Sequence, residues 1–408
     1  MKETIIRKSV PSDGPHIGGL ASYCFGHPEW KVPAEPAAST YNAFADNIDE
    51  FYTIEEGGKF VGNGRCMMLE QNIRGIWKLT GGLGGIINAP ETRRKGYAKK
   101  MILRMLADMN DAGCASSILH PALSTFYARC GYTAGPPGLQ IEVNPEQFKK
   151  WRDFPAGYTV EHVAFSEGLN TFKEVYEKAI VNAHGAIKRS AKTWKELASN
   201  NANWLGIAYN PAGVPEAIVE FSIKGFIDSP TNPGVMDIKD VFWLTGDARN
   251  ALFHFFYLHS HQITKLLIPL NPNEPYYYAW LDKMTHWFQI KAGSIFMVRV
   301  VNVIQCLQDI PAKHEGSIQF QVIDENFPWN NQCFEILGDG ARLNIRAKGE
   351  RRVPIQMAIE GLSALVYGIL PVEELESFQL SMGMRKPERE LLESWFPKQT
   401  PWLTNPII

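Results

Sequence analysis

No run of apolar residues in this sequence approaches the roughly 18 that a membrane-crossing helix needs. Ala251–Leu258 is too short, and Ser294–Ile304 carries Arg299 in its middle. The start of the chain, Met1-Lys-Glu-Thr-Ile-Ile-Arg7, has no long apolar stretch of the secretory kind. Cysteine is sparse. Cys24, Cys66, Cys114, Cys130, Cys306 and Cys333 are scattered, with no Cys-x-x-Cys and no paired spacing, so they read as buried thiols in a reducing compartment. Nor does one charge dominate: the formal net charge is −2, which gives no global pull toward nucleic acid or an anionic membrane. These absences together predict a soluble, cytoplasmic protein with neither nucleic acid nor membrane as partner.

What is present is enough chain for two or three domains, since 408 residues exceed what one hydrophobic core usually serves. The most informative stretch runs from Gly81 to Ala98, Gly-Gly-Leu-Gly-Gly-Ile-Ile-Asn-Ala-Pro-Glu-Thr-Arg-Arg-Lys-Gly-Tyr-Ala, and continues into a helical Lys99–Met109. An apolar, strand-like run ends in a basic, glycine-bearing turn that opens a helix. Such a turn aims unsatisfied N–H groups and the helix dipole at an anion, which suits a pyrophosphate. Arg93, Arg94 and Lys95 add fixed positive charge, and Gly96 lets the backbone approach closely. The spacing is neither a Walker loop nor a dinucleotide fingerprint.

Arg93-x-x-Gly96-x-Ala98 resembles the Arg/Gln-x-x-Gly-x-Gly/Ala motif of the GNAT superfamily of N-acetyltransferases, which bind acetyl-CoA. Downstream, Ala115-Ser-Ser-Ile-Leu-His120 and then Leu123-Ser-Thr-Phe-Tyr-Ala-Arg-Cys-Gly-Tyr132 resemble the ending of that fold. There a strand is followed by a short helix bearing Phe-Tyr-x-x-x-Gly-Tyr, and Phe126, Tyr127, Gly131 and Tyr132 stand at the matching places.

Around these motifs the periodicity predicts a first α/β unit. Thr4–Arg7 reads as a strand, a helix follows to about Tyr23, and residues 36–47 read as a second helix. Glu50–Glu55 and Lys59–Met68 form a hairpin through Gly57-Gly58, and Ile76–Asn88 continues the sheet. Gly96–Ala112 is a regular helix with Met101, Leu103, Leu106 and Met109 on its apolar face. Ser116–Leu119 and a strand near Leu139–Val143 complete the unit. Asn144–Pro155 reads as a linker. A second α/β pattern then repeats the order, with strands at Tyr158–His162, Trp204–Tyr209, Ala217–Ile223, Val235–Trp243 and Ile263–Ile268, and helices at Asn170–Val181 and Ala248–Ser260. Its turn, Phe242-Trp-Leu-Thr-Gly-Asp-Ala-Arg-Asn250, lacks the arginine–glycine motif, and Asp247 would face an incoming phosphate. His254, His259 and His261 do not share one face and read as packing or surface residues rather than metal ligands.

From Phe296 a third region begins, with strands at Ser317–Ile323, Gln332–Leu337 and Ala341–Ile345 and helices at Ile355–Ile369 and Pro387–Phe396. This looks like the sterol-carrier-like domain found with tandem acetyltransferase domains in the Eis (enhanced intracellular survival) family. The resemblance implies an α/β (α+β) chain of three parts: a catalytic GNAT domain at 1–145, a degenerate acetyltransferase-like domain at 156–292, and a sterol-carrier-like domain at 293–408.

The resemblance also implies a site. The backbone of Ile86, Ile87 and Asn88 would bind the pantetheine arm and polarise the thioester, with Asn88 replacing the small apolar residue common there. Arg93, Arg94, Lys95, Gly96, Tyr97 and Ala98 would hold the CoA phosphates. Tyr127 matches the family's general acid; a phenol of pKa about 10 protonates a thiolate of pKa about 8.5 only with help from geometry. For the base there are two candidates, His120 and the C-terminal carboxylate of Ile408. The apolar tail Trp402-Leu-Thr-Asn-Pro-Ile-Ile408 independently suggests a docked terminus. Phe25 and Trp30 are candidates for an aromatic wall around a cationic acceptor, and Asp46, Asp49, Glu50 or Glu55 for attracting a polyamine. The implied activity is acetyl-CoA-dependent acetylation of primary amines, whether aminoglycoside-like or other polyamine small molecules or lysine side chains. No metal is implied, and a homo-oligomer is expected. The alternative is a hydrophobic-ligand carrier or scaffold in which CoA binding is regulatory.

Overall fold

A computed structural model of the chain describes residues 3–25, 47–153, 157–199, 203–225, 234–274, 288–349 and 351–404. In chain order, β1 (Thr4–Lys8) and α1 (Gly14–Phe25) precede β2 (Phe51–Glu56), β3 (Lys59–Ile73) and β4 (Ile76–Asn88). Then come α2 (Tyr97–Asp111), β5 (Ser116–Leu119), α3 (Ser124–Ala128) and β6 (Thr133–Val143). The pattern repeats as β7 (Thr159–Ala164), α4 (Phe165–Ile180), β8 (Ile187–Lys188), α5 (Ala191–Ser199), β9 (Trp204–Tyr209) and β10 (Pro215–Lys224). It closes with β11 (Gly234–Trp243), α6 (Gly246–Leu258) and β12 (Ile263–Leu270). β13 (Phe288–Val300) and α7 (Val303–Leu307) lead into β14 (Glu315–Ile323), β15 (Cys333–Asp339), β16 (Leu343–Gly349) and β17 (Gln356–Ala358). The remaining elements are α8 (Ile359–Val366), α9 (Val372–Ser377), β18 (Ser381–Met382) and α10 (Lys386–Trp395).

The elements depart from the sequence reading in a few places. The helix expected at 36–47 lies, Asn47 aside, outside the described residues. The stretch Asn144–Pro155 is not an open connection: Pro145–Trp151 winds into a 3-10 helix. Its Phe148 and Trp151 pack edge-on and tilted against Phe253 and Phe256. Three-residue spacing puts both rings on one side of so tight a helix. The span Ile355–Ile369 starts as strand β17, because Gln356–Ala358 pairs in parallel with Gln321–Ile323 before α8 begins.

The chain packs as two compact units. One contains residues 1–135 and 296–398, the other residues 136–295 and the segment that begins at Gln399. In the first, one sheet runs β1-β2-β3-β4-β5 and then the Met297–Val300 end of β13, with β4 and β5 parallel and the other neighbours antiparallel. A parallel pair needs a crossover, and α2 supplies it. That helix buries Tyr97, Met101, Ile102, Met105, Leu106 and Met109, a helical repeat on one face. Leu103, read from the sequence as part of that face, is only half-buried at its margin. Full burial of each such side chain is worth about 1.5–3 kcal/mol, so this stripe fixes α2 against the sheet. A second sheet in the same unit has the order β16-β15-β14-β17-β18.

In the other unit the order is β6-β12-β11-β10-β9-β7, again with one parallel pair, β11 and β12. Its core gathers around α6, where Ala248, Ala251, Leu252, Phe253, Phe255 and Phe256 are buried. No helix among the described residues is long and apolar enough to cross a membrane.

Candidate active site

β4 and β5 pair only from Thr80↔Ser116 to Leu83↔Leu119, while β4 itself runs on to Asn88. The two parallel strands therefore part company after Leu83. At the point of divergence β4 carries a bulge: Gly84 faces Arg65 and Ile87 faces Asn63, so Gly85 and Ile86 share the single position opposite Gly64. Gly85 takes φ +56°, a conformation that favours glycine, and nothing lies within 4 Å of where its Cβ would be. The Asn63 amide donates to the Gly85 carbonyl at 3.4 Å, and its buried Oδ1 has no partner. The consequence is that Ile86–Asn88, where the family resemblance puts the thioester, run on along β3 beyond the pairing with β5. His120 follows Leu119 on the other arm of the divergence and is exposed.

The basic turn completes one side of this opening. Arg93, Arg94, Lys95 and Gly96 are all exposed. Arg94 has φ +63° and Gly96 φ +81°, and no side chain caps the start of α2. Its first amides thus remain available to an anion, with the helix dipole behind them. One member of the turn is already engaged: Lys95 Nζ lies 2.8 Å from Glu56 Oε1, and the buried Tyr97 hydroxyl donates to the same carboxylate. The sequence reading did not single out Glu56; only its position at the end of β2, across the sheet from the turn, reveals the contact.

Tyr127 belongs to the same core cluster as Tyr97, Leu83 and Met101, with Ile86 and Phe126 packed against it. Burial raises the Tyr127 pKa above the ordinary phenol value, with nearby Cys130 adding to the shift. Tyr127 is therefore a protonated group at neutral pH, able to give a proton rather than take one. The Tyr132 ring stands edge-on to it at 6.2 Å, and the Tyr132 hydroxyl bonds Ser117 Oγ at 2.6 Å. Ser117 in turn donates to the Gly81 carbonyl at 2.9 Å, tying the Tyr127 turn to β4.

The acidic residues considered for the acceptor divide. Glu50 pairs with Arg65 at 2.7 Å, and Glu55 pairs with Arg7, which also holds Asp13. Asp49 is exposed. Phe25 ends α1 and is 59% exposed. Trp30, Asp46 and Ile408 lie outside the described residues. The tail is docked as far as it is described: the Trp402 amide donates to the His184 carbonyl at 2.8 Å, and Trp402 stacks at a tilt on Phe242. The Thr404 hydroxyl meets Tyr176 Oη at 3.0 Å.

The second unit repeats the divergence with a different helix start. β11 pairs with β12 only over Gly234–Asp237, and a one-residue bulge again follows, at Lys239 between the Glu220↔Asp240 and Phe221↔Ile238 pairs. Here, however, helix α6 is capped by its own chain: the Thr245 side chain accepts from the Ala248 amide, and Asp247 lies in the first turn. Both features oppose an incoming phosphate. Among the described residues no three histidine, cysteine, aspartate or glutamate side chains converge as a metal site. His254 and His259 hydrogen-bond the backbone carbonyls of Trp151 and Phe255 instead.

A parallel pair splayed at a bulge, an uncapped helix after a basic turn, and a buried tyrosine thus lie together in the first unit. The chain matches the description of a GNAT acetyltransferase domain over residues 6–135 and again over 185–300, and that of a sterol carrier protein domain over 303–404. In architecture it is Eis-like, a tandem GNAT chain ending in a sterol carrier protein domain. The N-acetyltransferase Eis of Mycobacterium tuberculosis is 23% identical over 271 residues, which span 64% of this chain and 64% of that protein. Among solved structures, a GCN5-related N-acetyltransferase from Anabaena variabilis has TM-score 0.84 and 19% identity, covering 98% of this chain and 99% of its own. Eis1 from Mycobacterium abscessus has TM-score 0.77 and 14% identity, covering 99% of this chain and 100% of its own. At these identities the structural likeness concerns the fold.

Proposed function

We propose that the chain is an acetyl-CoA-dependent N-acetyltransferase whose acceptors are primary amines of aminoglycoside-like or other polyamine small molecules, or lysine side chains. The observation that carries this reading is the contrast between the two helix starts: α2 is uncapped behind a basic turn, whereas α6 caps itself with Thr245. The amides after Gly96 with Arg93, Arg94 and Lys95 would hold the CoA phosphates, and the backbone of Ile86–Asn88, beyond the β5 pairing, the pantetheine arm and thioester carbonyl. The neutral amine attacks that carbonyl carbon, a C–N bond forms, and the C–S bond breaks. Tyr127 gives its proton to the departing thiolate. The proton lost by the ammonium goes to the carboxylate of Ile408 or to His120. Residues 1–145 would then be the catalytic domain, 156–292 a copy without CoA, and 293–408 the carrier-like domain of a cytoplasmic homo-oligomer.

Release of CoA thiol across a panel of amines tests the activity. Calorimetry with acetyl-CoA tests the site: Arg93→Ala and Gly96→Asp are expected to weaken binding at least about tenfold, as loss of a charge-assisted contact does. Tight binding by both variants would favour the carrier or scaffold reading. Two glycines appended after Ile408 are expected to abolish most turnover if its carboxylate is the base. Unchanged turnover in that variant, with loss in His120→Ala, would assign the role to His120.

A further inference from the structure

Arg299 sits in the apolar β13, beside β5, where Val298↔Ile118 and Arg299↔Ser117 pair. Its side chain and that of Asp324 are both 0% exposed. Arg299 Nη2 donates to Asp324 Oδ2 at 2.5 Å, Nη1 donates to the Cys130 carbonyl at 2.6 Å, and the guanidinium lies 5.1 Å from the Phe327 ring centre. Asp324 accepts further bonds from Asn330 Nδ2 and the Asn326 amide, each at 3.1 Å. Yet Arg299 Nε is buried without a partner. A buried ion pair is a weak source of stability, because desolvation offsets most of its attraction. Its position explains it better than its energy does.

Cys130 and Gly131 lie in the turn that follows Tyr127. The amides of Cys130 and Tyr132 both donate to the Tyr127 carbonyl, at 2.8 and 3.3 Å. Gly131 has φ +85°, and a Cβ there would lie 1.5 Å from Arg299 Nη1. The glycine of the tyrosine motif therefore makes room for the guanidinium as well as for the turn. α3, which carries Tyr127, has only five residues. A helix that short does not hold its own geometry, so something outside must fix it. We propose that Arg299, held in place by Asp324, is a positioning residue for Tyr127. The third region of the sequence thereby sets the direction of the acid in the first. This inference rests on the acetyltransferase reading for its catalytic meaning, but the clamp itself is a statement about the Tyr127 turn.

The test uses the full-length chain with Arg299→Met and Asp324→Leu together, so that neither charge is stranded. With the best amine of the panel, kcat is expected to fall about a hundredfold, the cost of an ångström-scale misplacement. KM for acetyl-CoA and the melting temperature stay close to those of the parent. In a Tyr127→Phe background the same pair changes kcat less than about twofold, because the group it positions is already gone. An equal fall in both backgrounds, or no fall in either, overturns the proposal. Arg299→Lys, which keeps the charge but loses the forked geometry, is expected to fall between parent and double variant. As a readout independent of turnover, 3-fluorotyrosine placed at residue 127 should give one sharp fluorine resonance in the parent and a broadened or split one in the double variant. If the parent acetylates no amine, the enzyme reading fails while this spectrum still decides the clamp. An unchanged resonance overturns it.

Discussion

Tyr127 illustrates how little a single residue type says before its surroundings are known. Burial keeps its phenol protonated, so the side chain suits an acid in the last step of acyl transfer and not a base in the first. Tyr127→Phe is expected to lower kcat by about 10²–10⁴-fold, the usual contribution of a positioned acid. An acid fails as it ionises. Because its pKa is raised, the alkaline fall in kcat/KM should lie above the ordinary tyrosine value of about 10, and pH–rate profiles of the parent and Tyr127→Phe should differ in that limb alone. Glu220 gives the opposite kind of prediction, on stability. Burial, with Asp240 close by, raises its pKa, so the folded state binds a proton that the unfolded state has released. Stability is then highest below the unfolded carboxyl value of about 4.3 and is lost as pH rises through the folded value. Thermal melts from neutral pH down toward the ordinary carboxyl range should show a stabilising trend that Glu220→Gln flattens.

At the level of elements, two helices with the same place in their sheets differ in how they begin. Removing the α6 cap with Thr245→Ala should cost about 1 kcal/mol in denaturant unfolding and leave acetyl-CoA affinity unchanged. At α2 the converse holds, since Gly96 contributes openness rather than a cap. These elements were largely legible in sequence: Ile76–Asn88, Ser116–Leu119 and Trp204–Tyr209 are found where their apolar runs and turn residues put them. The basic turn before a helix was legible too, because a turn is local, whereas Tyr127 stood out only through its resemblance to a family motif. What escaped depends on distant partners. Arg299 interrupts an apolar strand for a carbonyl 169 residues away, which no periodicity can disclose. Asn144–Pro155 looked like a connection because its prolines are local and the phenylalanines that cover Phe148 and Trp151 belong to α6. Glu56 was one more strand-end carboxylate until the fold brought Lys95 and Tyr97 to it.

In the whole molecule, residues 1–135 and 296–398 pack into one unit, and Arg74 shows how distant segments are joined there. This buried residue in the β3–β4 turn donates to the carbonyls of Val366, Leu365 and Pro397 at 2.6, 2.9 and 3.0 Å. It places a cation on the C-terminal end of α8, where the helix dipole favours one. Arg74→Ala should cost about 3 kcal/mol, since bonds to charged groups contribute about 1.5–3 kcal/mol each and are not additive. Denaturation followed at Trp77 and at Trp395 should give coincident transitions in both proteins. The pairing of β5 with Met297–Val300 also has a temporal side. On the ribosome, the strand that covers β5 emerges only after the entire intervening unit, roughly 10–40 s later at about 5–20 residues per second. Until then β5 is an open edge of the kind that invites wrong pairing. The clamp on the Tyr127 turn is equally late, because Asp324 follows Arg299 out of the exit tunnel. On the clamp proposed above, a nascent chain carries every residue of the motif before anything holds its acid, so synthesis order would keep unfinished copies silent.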